Sequence, residues 1–168
     1  LSIEVNGEPW RYAPGYMTLG LTALVASGFA SAASRERMRR TPPRTKLVRS
    51  MGQVAATYLR THDTYLPPFT TNLSAEKQDG LTDVMIINNQ RMGRVIRSSI
   101  DYPQTDFFGY HQADFSSVCK NIPFACSAIV GHTPAERITD ITLTFREPAT
   151  ILAQTEGEHA VLPAVSTI

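Results

Sequence analysis

The stretch GYMTLGLTALVASGFASAASRERMRR, Gly15 to Arg40, decides how the rest of the chain is read. It carries no charge before Arg35 and then four arginines, Arg35, Arg37, Arg39 and Arg40. A helix over Tyr16 to Ser34 would rise about 28 Å at 1.5 Å per residue, close to the roughly 30 Å hydrocarbon core of a bilayer. Its large apolar residues are only Met17, Leu19, Leu21, Leu24, Val25 and Phe29, diluted by serine, threonine and glycine. Each leucine, valine or phenylalanine favours insertion by only about 0.3–0.6 kcal/mol. At 100° per residue, Met17, Leu21, Leu24, Val25 and Phe29 share one side, and Gly20, Ala23, Ser27, Ala30 and Ser34 share another. A stripe of small residues allows close approach of a second helix. Basic residues collect where a spanning helix leaves the bilayer on the cytoplasmic or matrix side. The expectation is a single membrane-spanning helix with a basic flank. The alternative is a buried helix of a soluble α+β domain.

Outward from this stretch, SIEVNGEPWRY (Ser2 to Tyr12) predicts a β-hairpin. Ile3 and Val5 alternate with polar residues, and Asn6-Gly7 suits the positive φ angles of a type I′ turn. Pro9 places the returning strand at an edge. Downstream, Pro42-Pro43 closes the basic segment with an extended link. KLVRSMGQVAATYLRT (Lys46 to Thr61) then spaces Leu47, Val48, Met51, Val54, Ala55, Tyr58 and Leu59 as one apolar helical face. Arg49, Gln53 and Arg60 fall on the other.

HDTYLPPFTTNLS, from His62, reads as loop, and Asp79-Gly80 marks a turn. Beyond it the pattern becomes β. VMII (Val84 to Ile87) and RVIRSSI (Arg94 to Ile100) read as one hairpin. ITLTF (Ile141 to Phe145) and TILAQT (Thr150 to Thr155) read as a second, turning at Arg146-Glu147-Pro148. Thr133 to Glu136 reads as a capping-box start to a helical turn. The fold class is α+β: an N-terminal hairpin (1–15), a hydrophobic helix with a basic flank (16–41), and a head (44–168) in which an amphipathic helix packs on an antiparallel sheet.

A net charge of +1 hides a polarity along the chain: the cations concentrate between Arg35 and Arg97, and acids prevail beyond it. The densest part, Arg35 to Arg49, holds Arg35, Arg37, Arg39, Arg40, Arg44, Lys46 and Arg49 against Glu36 alone. Such a cluster fits phosphates, in anionic lipid headgroups beside a membrane helix or in nucleic acid. It lacks the interleaved aromatics that single-strand stacking requires.

Catalytic signals are sparse. GYHQAD (Gly109 to Asp114) sets His111 three residues before Asp114, a spacing that allows an oriented base. Cys119 is a candidate nucleophile only if a histidine reaches it. Cys119 and Cys126 fit no zinc pattern, and the predicted topology favours two reduced thiols. No P-loop, GxSxG, HExxH or strand-linked GxGxxG is present. No metal or cofactor is expected.

The function expected on these grounds is a non-enzymatic, single-pass membrane-anchored subunit of a larger assembly. Residues 16–34 would meet a protein partner, Arg35 to Arg49 would lie at anionic headgroups, and the head would stand on the cytoplasmic or matrix side. One alternative is a soluble α+β enzyme or ligand-binding domain, with His111, Asp114 and Cys119 near a cleft. Another is a nucleic-acid-associated module using residues 35–49.

Overall fold

Asn6 and Gly7 both take positive φ, 54° and 79°, and fold Ser2–Val5 (β1) back on Glu8–Tyr12 (β2) through the expected two-residue turn. The computed structural model describes residues 1–30, 32–89, 91–92, 96–97, 107–114, 116–117, 136–155 and 158–168. Pro9 sits at a register shift in the hairpin, where its missing N–H removes no regular ladder bond. Asn6 also ties the hairpin to the far end of the chain. Its side-chain oxygen accepts from the N–H groups of Ser166 (2.7 Å) and Thr167 (3.1 Å), and its amide donates to the Ala164 carbonyl (3.0 Å).

The decisive stretch is not one helix. Tyr16–Gly20 is a strand (β3), Leu21–Ala30 a ten-residue helix (α1) and Ala32–Arg39 an eight-residue helix (α2). Among the described residues no helix is long and apolar enough to cross a membrane. This overturns the membrane-spanning helix over 16–34 and the anchored subunit built on it. The physical reason lies in a strand covered on both sides. Met17 and Leu19 enter the main core, while Tyr16 and Thr18 face the helices, so the alternation of an exposed strand is missing. Gly20, at φ +84°, breaks the chain between strand and helix.

β3 lies inside an eight-stranded antiparallel sheet, between Asp83–Ile87 (β6) and the long strand Leu143–Thr155 (β11). On the β6 side the sheet continues through Phe108–Ala113 (β9) to Glu136–Ile138 (β10). On the other side, β11 pairs with Phe69–Thr71 (β4), which pairs with Ser74–Gln78 (β5), and with Glu158–Thr167 (β12). The sheet curls into a half-barrel. Arg91–Met92 (β7) and Ile96–Arg97 (β8) form a separate short ladder.

Four readings change accordingly. β6 pairs with β3 and β9, and of the expected strand 94–100 only Ile96–Arg97 lies within the described residues, where it pairs with Arg91–Met92. Arg146-Glu147-Pro148 is no hairpin turn but the middle of β11, at a register shift against β12 that accommodates the proline. Glu136 begins a strand; residues 133–135 lie outside the described residues. The loop expected after His62 contains the β4–β5 hairpin.

One side of the sheet carries the main core, which includes the buried Leu19, Phe69, Val84, Leu143, Ile151 and Val165. Phe69 and Phe145 rings meet at 5.8 Å. The opposite side of the sheet presents Met85 and Ile87, covered by Leu21 and Val25 of α1 and by Tyr58 from Pro43–Thr61 (α3). Pro43 starts α3 at a position where its missing N–H would have no helical partner, so Pro42-Pro43 is a helix start more than a link. α3 turns an unexpected face inward. The Gln53 amide donates to the Gly28 carbonyl at 3.1 Å and to the Ser34 hydroxyl at 2.8 Å, while Val48 and Leu59 are exposed. Gly28 belongs to the last turn of α1, whose carbonyls lack helical partners, so an amide there is worth more than another methyl group.

Gly52 sits in the middle of α3 with nothing within 4 Å of where a Cβ would stand. Gly52→Ala is therefore expected to stabilise the fold by about 1 kcal/mol, because alanine loses less backbone entropy in a helix. Chemical denaturation of the two proteins checks this; an unchanged or lowered midpoint would contradict it.

Candidate functional site

α1 starts on the sheet, and its first turn is held by the sheet itself. The Leu21 N–H donates to the Thr82 carbonyl (2.9 Å) and the Thr22 N–H to Asp83 Oδ1 (3.2 Å). The Thr22 hydroxyl bonds the other oxygen, Asp83 Oδ2. These contacts satisfy two of the N–H groups that every helix start leaves over. Asp83 is completely buried on a central strand. Burial pushes its carboxyl up to about 8, outweighing the Thr22 hydroxyl and the Thr22 and Val84 N–H groups, which favour the anion.

The same side of the sheet carries other polar groups. The Thr18 hydroxyl contacts Gln154 Oε1 at 3.4 Å, and the Gln154 amide donates to the Tyr16 hydroxyl at 3.2 Å. His111 stands opposite Met85 in the ladder, half-buried. Asp114 is occupied by a local turn: its Oδ1 accepts from the Ser116 N–H (2.9 Å) and hydroxyl (2.5 Å). Cys119 and Cys126 lie outside the described residues. Of the catalytic candidates, only His111 and Asp114 are therefore placed. Among the described residues no three His, Cys, Asp or Glu side chains gather around a common metal position.

Between β2 and β12 lies a shallow polar cleft lined by Arg11, Tyr12, Ala13, Thr155 and Glu158. Arg11 spans it, bonding Glu158 at 2.7 Å and the Thr155 hydroxyl at 3.2 Å.

The small stripe is divided among different tasks within this one chain. Gly20 takes the sharp turn into α1 against Thr82. Ala23 is fully buried, and Ser27 returns its hydroxyl to the Leu24 carbonyl at 2.8 Å. Ser34, on α2, meets Gln53 of α3. Ala30 ends α1.

The basic segment is the feature with most exposed chemistry. α2 and α3 form an antiparallel hairpin fastened at both ends. Ser34 bonds Gln53 at one end, and at the other the Arg49 guanidinium donates to the Thr41 hydroxyl at 2.9 Å, which itself donates to the Arg37 carbonyl at 2.8 Å. Arg35, Arg37, Arg39, Arg40, Lys46, Arg49 and Arg60 are exposed on this hairpin. Arg44 lies in its first α3 turn. Glu36 is the only acidic residue between Arg35 and Arg60, and it pairs with Arg40 at 2.8 Å. Arg35, Arg37 and Arg39 have no carboxylate within ion-pairing distance among the described residues. The exposure follows from a helix too polar to bury: α2 is half arginine and glutamate. No family model matches this chain, and no curated protein matches it either.

Proposed function

We propose that the chain is a nucleic-acid-associated module that grips phosphate backbones with its α2–α3 hairpin. One observation carries this reading: eight cations against one acid lie between Arg35 and Arg60, on two helices held side by side, with Arg35, Arg37 and Arg39 exposed and without carboxylate partners among the described residues. Arginine presents a planar fork to phosphate oxygens, and a preformed hairpin spends little entropy in positioning several forks at once. Residues 35–49 contain no aromatic side chain, so they offer no stacking platform for unpaired bases. Duplex backbone, read without base contacts, is the ligand this supports best.

Arg35 and Arg39 are spaced i, i+4 and share one side of α2. Fluorescence anisotropy with a labelled 20-base-pair duplex tests the proposal across a salt series. Binding should fall steeply with salt. The double variant Arg35→Ala/Arg39→Ala should weaken it roughly tenfold and flatten the log–log salt slope by about two. Equal binding by the variant, or no binding by the parent at 50 mM salt, sinks the proposal. So does attachment to phosphatidylserine vesicles without attachment to the duplex.

A further inference from the structure

We infer that the outward face of α3 is a docking groove for an acidic amphipathic helix. The groove is separate from the α2 arginines, and the inference does not rest on their binding nucleic acid. Gln53, Thr57 and Tyr58 turn α3 toward α1: Gln53 bonds Gly28, the Thr57 hydroxyl lies nearest to Gly28, and Tyr58 joins the Met85–Ile87 cluster. The opposite side of α3 holds Val48, Gly52, Ala55 and Leu59, all exposed. Val48 is 71% and Leu59 61% exposed.

The spacing i, i+4, i+7, i+11 keeps these four in one seam about 16 Å long. Its shape is specific. The two large side chains stand at the ends, with glycine and alanine between them and open space above Gly52. A helix laid along the seam could place a leucine-sized side chain over Gly52 and Ala55, closed at both ends by Val48 and Leu59.

Charge selects the occupant. Arg49 and Arg60 are exposed on one flank of this seam, and Arg60 has no carboxylate partner among the described residues. Antiparallel pairing with a second copy would bring that cationic flank against itself, a repulsion that a helix with glutamates along its edge replaces by attraction. So short a seam buries less than a standard interface and suits a transient contact.

The probe is a 21-residue labelled peptide with leucines at three- and four-residue spacing and glutamates on both flanks, with a lysine-flanked version as control. The glutamate peptide should bind with a dissociation constant of roughly tens of micromolar, and the lysine peptide at least about tenfold more weakly. Val48→Asp/Leu59→Asp should lower affinity for the glutamate peptide by about tenfold or more. Both side chains are exposed, so circular dichroism should show the fold unchanged. Arg49→Glu/Arg60→Glu should invert the preference between peptides. Equal binding of both peptides, or none at 1 mM, overturns the inference. So does a dimer in sedimentation that Val48→Asp/Leu59→Asp dissolves, which would make a second copy the occupant.

Discussion

Gly20→Ala is expected to cost about 3–5 kcal/mol of folding stability, a third or more of what a domain of ordinary stability has. Two effects add. At φ +84° an L side chain is strained by about 1–2 kcal/mol. A Cβ there would also stand 2.2 Å from the Thr82 carbonyl oxygen and 3.1 Å from its carbon. Thr82 O is the acceptor for the Leu21 N–H, so relieving the clash means pulling β6 from the start of α1. A flexible side-chain tip could yield cheaply, but this backbone atom cannot. Urea unfolding of both proteins measures the loss. A loss below 1 kcal/mol would show that the turn relaxes and that Gly20 is no fixed joint.

The second large effect is a dependence on pH centred on Asp83. Its folded-state carboxyl is raised from 3.8 to about 8, so the folded protein holds a proton that the unfolded chain releases between these values. Stability from this group is complete below about pH 4 and is lost as pH rises toward 8, at up to about 1.4 kcal/mol per pH unit. The total is a few kcal/mol. Asp83→Asn keeps an oxygen for the Thr22 N–H and removes the titration. The variant should match or fall slightly below the parent at pH 4 and exceed it at pH 8, with a flatter profile between. Denaturant midpoints at intervals of one pH unit test this. Parallel profiles for the two proteins would mean that Asp83 stays ionised in the fold, held by the start of α1 and by Thr22.

Local signals in the chain were legible and long-range ones were not. Asn6-Gly7 specifies its turn through two adjacent residues, and the hairpin stands where the sequence puts it. Tyr16–Gly20 misleads because a strand buried on both sides is a short apolar run, indistinguishable by periodicity from the start of a helix. The signal available was Gly20 itself, a poor helix former directly before Leu21. Gln53 misleads differently: its place beneath α1 depends on the Gly28 carbonyl, and no helical wheel of α3 contains that information. Pro148 looks like a turn and is instead tolerated in β11 where the ladder with β12 is irregular. The Arg35–Arg49 block is legible as charge, and its exposure follows from composition. Its fastening to α3 through Ser34 and Thr41 is a tertiary result. The buried carboxyl of Asp83, the first residue of an otherwise apolar strand, gave no sign of its environment.

β11 has a consequence for the order in which the protein can be assembled. It holds β4 along Leu143–Phe145 and β3 along Ala153–Thr155, both on one edge, and β12 on the other. During synthesis β3, β6, β9 and β10 can gather as one partial sheet, and β4 with β5 as an isolated ribbon. Among the described strands no ladder joins the two until the late segment carrying β11 emerges and closes contacts across most of the chain length, the slow kind of closure. In that interval β3 and β4 each expose an unpaired edge, the surface most prone to pairing with the wrong molecule.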